Sequence, residues 1–405
     1  MRLREKKGRL KGVEIQRRQC TLNPIPPKNI LLTVDVEDWF QVENLRPWIP
    51  LGTWDSRELR VERNVNGLLD LFDDMKVGTR ISELDGRNYG STESNAAIAP
   101  APAGSSPPPA LNLRPSGVKK ERCTFFILGW LAERLPRMVR EIAARGHEVA
   151  SHGYNHQMCN RLSETDLQNE LSGSKRLLEN ITGAAVAGFR APNFSINERV
   201  LGAIQECGYR YDSSYNSFSL NSRYGRIALN GNPQAGIAYQ LDDHFLELPV
   251  SNLPVFDHSV KCSYRNFTHF HLPWSGGAYF RLLPLSIFKR GVRFILKCRG
   301  AYAFYMHPWE IDPGQPKVHQ ASFGPRFKHY TNLWKTENKL REMIETFSDC
   351  RFISCRQYIE EKVGCGQDLQ KGHRFLALSR FPKKNGTPRF ARRKENCHGE
   401  ESDAG

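Results

Sequence analysis

Ser151-His-Gly-Tyr-Asn-His156 sets two imidazoles four residues apart, directly behind the β-rich run Glu148-Val-Ala-Ser151. Two neutral histidines at that spacing can turn their ring nitrogens onto one ion at about 2.0–2.1 Å. A divalent ion held this way still needs a hard anionic ligand, and hydrolysis needs a carboxylate able to take a proton from an activated water. The segment Asn29-Ile-Leu-Leu-Thr-Val34 runs into Asp35-Val-Glu-Asp38 and supplies both. Side chains alternate along an extended chain, so Asp35 and Glu37 project together while Val36 faces the packing side. Asp38 competes with Glu37 for the ligand role. An H-x-x-x-H pair alone is common, and the acidic strand end is what turns it toward metal-assisted hydrolysis.

These residues need strands to deliver them. Asn29 to Val34, Cys123 to Leu128, Glu148 to Ser151, Val186 to Phe189, Tyr209 to Asp212, Phe245 to Pro249 and Ala301 to Met306 read as short buried strands. Helical spacing covers Asn64 to Met75, Leu131 to Ala144, Ser163 to Ile181 and Glu198 to Glu206, the third opened by Ser163-Glu-Thr-Asp166 in the manner of a capping box. Alternating β and α with functional residues at strand ends predicts an α/β protein, either a parallel barrel or a doubly wound sheet. Gly78 to Arg122 breaks the rhythm with Ala-Pro-Ala-Gly-Ser-Ser-Pro-Pro-Pro-Ala and no amphipathic period, and is expected to be a disordered insertion over 78–122. The ends, 1–23 and 364–405, are expected to be flexible.

The formal charge of +15 sits mainly at those ends, which together supply ten of the fifteen charges. A basic groove lined with aromatics is not what this distribution describes, so nucleic acid is not an expected partner. Weak contact of the basic ends with an anionic membrane surface remains open. Ten scattered cysteines without a C-x-x-C pair fit reduced thiols. Neither an apolar leader nor an uncharged apolar run of about 18 residues is present, so no integral membrane segment is expected and the expected location is cytoplasmic.

Taken in order, Thr33-Val-Asp-Val-Glu-Asp38, His152 with His156, Phe189-Arg-Ala-Pro-Asn-Phe-Ser195, Tyr211-Asp-Ser-Ser214 and Tyr305-Met-His307 resemble the five motifs of the NodB-like polysaccharide deacetylases over roughly residues 28 to 310. The stretch from His307-Pro-Trp-Glu310 through Phe323-Gly-Pro-Arg-Phe-Lys-His-Tyr330 to Phe352-Ile353 further resembles the subgroup associated with exosortase and exopolysaccharide loci. The acidic motif departs from the family's adjacent aspartates, and Asn193-Phe194 replaces the Tyr and Gly that usually follow the proline.

The resemblance implies a distorted (β/α) barrel over residues 24–363 that includes a C-terminal extension. It implies a divalent ion, zinc being expected, on His152, His156 and Glu37 or Asp38. Asp35 becomes the base, Arg190 its partner, His307 the acid that protonates the leaving amine, and Asp212 the carboxylate that holds His307. A backbone N–H near Phe194 would face the oxyanion. Trp39 and Trp309 adjoin these motifs and are expected to stack on sugar. The implied partner is an acetylated glycan or its precursor; the alternatives are a silent glycan-binding protein and a hydrolase of a non-sugar amide.

Overall fold

The first strand, β1 (Asn29–Val36), is buried along its whole length in the computed structural model, as expected of a parallel strand covered on both faces. The structure describes residues 28–74, 123–229, 231–255 and 271–366. The segments 1–23 and 78–122 lie outside these, as does 364–405 apart from the three residues that end the last helix.

Further strands are β2 (Thr124–Ile127), β3 (Glu148–Ser151), β4 (Gly188–Phe189), β5 (Tyr211–Asp212), β6 (Gln234–Ala235), β7 (Ala238–Asp242), β8 (Phe245–Glu247), β9 (Leu253–Pro254), β10 (His271–Leu272), β11 (Ala301–Met306) and β12 (Arg351–Phe352). Among the described residues the main sheet runs β11-β1-β2-β3-β4-β5-β8-β7-β6, with β12 also paired to β1. Pairing is parallel from β11 to β8, and β7 and β6 add an antiparallel edge. Helices α1 (Val61–Asp74), α2 (Gly129–Arg134), α3 (Pro136–Ala144), α4 (Glu164–Thr182) and α5 (Glu198–Glu206) are followed by α6 (Gly277–Leu282), α7 (Leu285–Arg299), α8 (Phe323–Tyr330), α9 (Leu333–Thr346) and α10 (Cys355–Gly366). The helix expected over 131–144 is two helices, because Pro136 cannot donate and drives Leu135 out of helical conformation.

Alternation sorts the strand side chains into two cores. On β1, Ile30, Leu32, Val34 and Val36 pack outward with the helices, while Leu31 points inward to meet Phe126, Ala150, Tyr211, Leu246 and Ala303. Residues from so many strands can share one interior only if the sheet curls round on itself. Ser251, just beyond β8, completes the turn: its N–H donates to Ala303 O at 3.1 Å, and its Oγ accepts from Ala303 N–H at 2.9 Å. Cys355, Tyr358 and Ile359 of α10 enter the same interior cluster. The architecture is α/β, a distorted barrel whose last stave is irregular. Each outward aliphatic side chain contributes roughly 1.5–3 kcal/mol on burial. The inward face can therefore turn polar above Leu31, at Thr33, Asp35 and Glu37, without losing the contacts that hold the helices. No helix among the described residues is long and apolar enough to cross a membrane.

Candidate active site

Glu37 leaves the end of β1 on the inward side and is 4% exposed. Its Oε1 lies 2.9 Å from His156 Nε2, 3.3 Å from His152 Nε2 and 3.6 Å from His307 Nε2. His152 follows β3, and its Nδ1 lies 2.7 Å from Arg190 O. A carbonyl only accepts, so Nδ1 carries the proton and a neutral His152 turns the lone pair of Nε2 toward Glu37. Lone pair and carboxylate repel at that distance unless a proton or cation lies between them. His156 sits at φ +52°, a strained setting for a side chain of its size, and neither of its buried ring nitrogens has a hydrogen bond of good geometry. The ligand atoms of Glu37, His152 and His156 all lie within 4.8 Å of one another. Two imidazoles and one carboxylate, each short of a partner, fit a divalent ion. Burial opposes the charge on Glu37, but His156 and His307 outweigh it and hold the carboxyl well below its usual range.

Asp38 does not turn this way. Its carboxylate accepts from the backbone N–H groups of Trp39, Arg60 and Val61 at 2.8, 2.7 and 2.9 Å, tying the end of β1 to the start of α1. Burial pushes its pKa up to about 6 despite those bonds. The alternative ligand is thus a structural anchor, because alternation puts it on the opposite side from Glu37.

Asp35 lies two residues back on the same face and lines the cleft. Its Oδ1 accepts from Arg190 Nη1 at 2.7 Å. Arg190 is fully buried and spends its remaining donors on Thr33 Oγ1 (2.7 Å), Ser213 O (2.9 Å) and Ser213 Oγ (2.8 Å), with its guanidinium over the Phe126 ring. The fork fixes the direction from which Asp35 faces the cleft.

His307 follows β11, the neighbour of β1, and so arrives opposite the acidic end. Its Nδ1 donates to Glu310 Oε1 at 2.7 Å. Burial would lower the imidazole pKa, but Glu37 and Glu310 raise it to about 9. Asp212, expected to hold His307, does not reach it. That carboxylate accepts from Ser214 Oγ and N–H at 2.6 and 3.2 Å and lies against Glu247. Burial raises both carboxyls of this pair, and the Asp212 charge raises Glu247 further, so Glu247 keeps its proton and donates it to Asp212. Asp212 ends the short β5, five places along the sheet from β11, while Glu310 is one turn from His307.

Asp35, Glu37, His152, His156, His307 and Glu310 line a cleft with a volume of about 560 Å³. Phe194 borders it at φ +56° with its own N–H bonded to Ala191 O at 2.9 Å, so a donor near it would belong to a neighbouring residue. Asn193 offers one instead: it lines the cleft, and its buried Nδ2 has no partner. Trp309 reaches the cleft with its ring stacked on His307 (5.2 Å) and His329 (4.3 Å), engaged by protein rather than open to sugar. Trp39 is a core residue, 3% exposed, donating through Nε1 to Glu58 O. The residues missed are Asn193, Glu310 and Arg281. Only Glu310 had a local signal, the i, i+3 spacing of a capping box in His307-Pro-Trp-Glu310.

Residues 118–211 match the polysaccharide deacetylase family model. The chain is 33% identical over 104 residues to a peptidoglycan deacetylase-like protein of Gibberella zeae, covering 26% of this chain and 31% of that protein. It is 31% identical over 91 residues to a peptidoglycan-N-acetylglucosamine deacetylase of Bacillus cereus, covering 22% and 42%. These matches support the polysaccharide deacetylase family. The chain spans less than half the length of each of these relatives. A solved structure from Mycobacterium smegmatis assigned as a polysaccharide deacetylase superposes with a TM-score of 0.48 at 17% identity, over 88% of this chain and 96% of that one. The deacetylase match holds His152, His156 and Arg190, whereas His307 and Glu310 fall in residues 213–360, which match a domain of unknown function.

Proposed function

We propose that this protein is a metal-dependent hydrolase that removes N-acetyl groups from a polysaccharide or its precursor. The observation that carries this reading is one carboxylate oxygen, Glu37 Oε1, facing the imidazole nitrogens of His152, His156 and His307 in a cleft that Asp35 also lines. A divalent ion held by Glu37, His152 and His156 would supply Lewis acidity toward the acetyl carbonyl and the attacking water, and the mixed imidazole and carboxylate set suits zinc.

Asp35, fixed by Arg190, takes the proton as water attacks the acetyl carbon. The Asn193 amide, unpartnered at the cleft wall, donates to the oxyanion that forms. His307, with its Nδ1 proton held by Glu310, gives a proton from Nε2 to the nitrogen as the C–N bond breaks, leaving acetate and a free amine. Support for a glycan substrate comes from the family match at residues 118–211 and from relatives that bear peptidoglycan deacetylase names. The exopolysaccharide setting belongs to this proposal and rests on the resemblance of residues 307–353. So does a cytoplasmic location, in keeping with the free thiols of Cys159, Cys207, Cys350 and Cys355.

The test is acetate release from N-acetylated oligosaccharides by zinc-loaded protein, with metal analysis alongside. About one ion per chain and stoichiometric acetate are expected. Metal-free protein active at full rate, or no acetate from a broad panel of glycans, overturns the reading.

A further inference from the structure

Glu310 is 1% exposed and has both oxygens engaged. Oε1 accepts from His307 Nδ1 at 2.7 Å and from His307 N–H at 3.2 Å, while Oε2 accepts from Arg281 Nε at 2.7 Å. Arg281, at the end of α6, is 2% exposed. Its other donors go to main-chain carbonyls at the end of α8 and just beyond: Nη2 to Lys328 O (2.7 Å), and Nη1 to His329 O and Thr331 O (2.8 Å each). The guanidinium lies 5.2 Å from the centre of the Trp309 ring, which in turn stacks on His307. One cation therefore fixes the carboxylate behind His307 and also packs on the ring beside it.

This arrangement constrains Glu310 beyond what burial alone requires. A carboxylate with one partner can rotate about its terminal torsion, whereas one bonded at both oxygens by fixed donors cannot. The α8 carbonyls use the rest of the guanidinium fork, so Arg281 itself has one orientation. Lysine would keep the charge there but could not span Glu310 Oε2 and three carbonyls at once.

We propose that Arg281 is a positioning residue for His307, acting through Glu310, and that residues 213–360 thereby supply the leaving-group half of the site. The inference rests on the function proposed above and gives the region of unknown function a stated task. Its chemical consequence is selective. Expulsion of an amine needs a proton at nitrogen, whereas expulsion of 4-nitrophenolate does not, so misplacing His307 slows the amide far more than the activated ester.

The experiment compares wild type, Arg281→Lys and Glu310→Gln on an N-acetylglucosamine oligosaccharide and on 4-nitrophenyl acetate, with zinc content measured for each. Both variants should lose roughly ten- to a hundredfold in kcat on the oligosaccharide with KM within about twofold, while ester hydrolysis falls no more than about threefold. The double variant should be little worse than Glu310→Gln, since the two residues act in series. Ester hydrolysis reports that each variant is folded and loaded, and Glu310→Gln, close in shape to the native residue, serves if Arg281→Lys does not fold. Equal losses on both substrates, no loss on the oligosaccharide, or additive losses overturn the inference and leave the proposed function standing. A wild type inactive on every N-acetylated glycan overturns both.

Discussion

Two buried arginine–carboxylate pairs support the groups of the cleft, and they are built differently. Arg190 and Asp35 stand at the ends of strands, and the arginine's other donors go to Thr33 on β1 and Ser213 just after β5. The curl of the sheet brings them together, since β4 is three strands from β1. Arg281 and Glu310 lie off the sheet, joined to each other and to α8 by side-chain bonds. The first pair is set by the barrel, and the second by how the elements after residue 213 pack on one another. A strand-end site tolerates change in its surroundings because backbone hydrogen bonds hold it, while the packed site depends on each donor in the chain.

The sharpest break in this comparison comes from the barrel side. His152→Ala or His156→Ala should abolish activity and take the bound ion from about one per chain to near zero, read by elemental analysis. Asp35→Asn should lower kcat by about 10²–10⁴-fold while retaining the ion. Loss of the ion in Asp35→Asn would move Asp35 from base to ligand.

On the packed side, Glu310→Gln should change the pH dependence. His307 is useful as an acid only when protonated, so activity falls as pH rises through its pKa. Burial lowers that pKa, and Glu37 and Glu310 raise it to about 9 in the ion-free protein. Removing the Glu310 charge should therefore move the alkaline limb of the rate profile to lower pH, by about one unit or more. An alkaline limb that stays in place would assign it to another group.

Asp38→Asn should leave ion content and kcat unchanged and cost roughly 1–3 kcal/mol in unfolding free energy, because an amide donor replaces one of the two oxygens that accept from three backbone N–H groups. Its pH signature has a definite sign. The folded pKa, raised by burial to about 6, lies above the ordinary aspartate value of 3.8, so the folded state binds the proton more tightly. Stability from this group thus declines as pH rises between those values, and the slope should be absent from the variant's denaturation curves. The smallest effect is expected for Trp39→Phe, with about 1 kcal/mol lost with the indole bond and kcat within about twofold. A large fall in kcat would return Trp39 to the cleft.

The histidine pair and the acidic strand end were legible because each is a local pattern. Spacing along the chain fixes direction once a segment is known to be extended, which is why Asp35 and Glu37 share a face and Val36 packs outward. The same rule, followed one residue further, removes Asp38 from the ligand set. Asp212 was assigned to His307 by motif order, yet position around a curled sheet is not carried by order along the chain. Trp39 adjoined the acidic motif and still belongs to the core.

The sequence by itself determined the α/β rhythm, the strand that ends in carboxylates and the histidines that face them, because those follow from periodicities of two and of about four residues. Only the tertiary structure decided which carboxylate serves His307, which donor lies free at Asn193, and that Arg281 stands behind them. Those choices rest on contacts between residues as distant as Arg281 and Glu310, which meet only when α6, α8 and the turn after β11 pack together. No short-range pattern encodes such a meeting, since it is selected by the geometry of the packed elements rather than by any one of them.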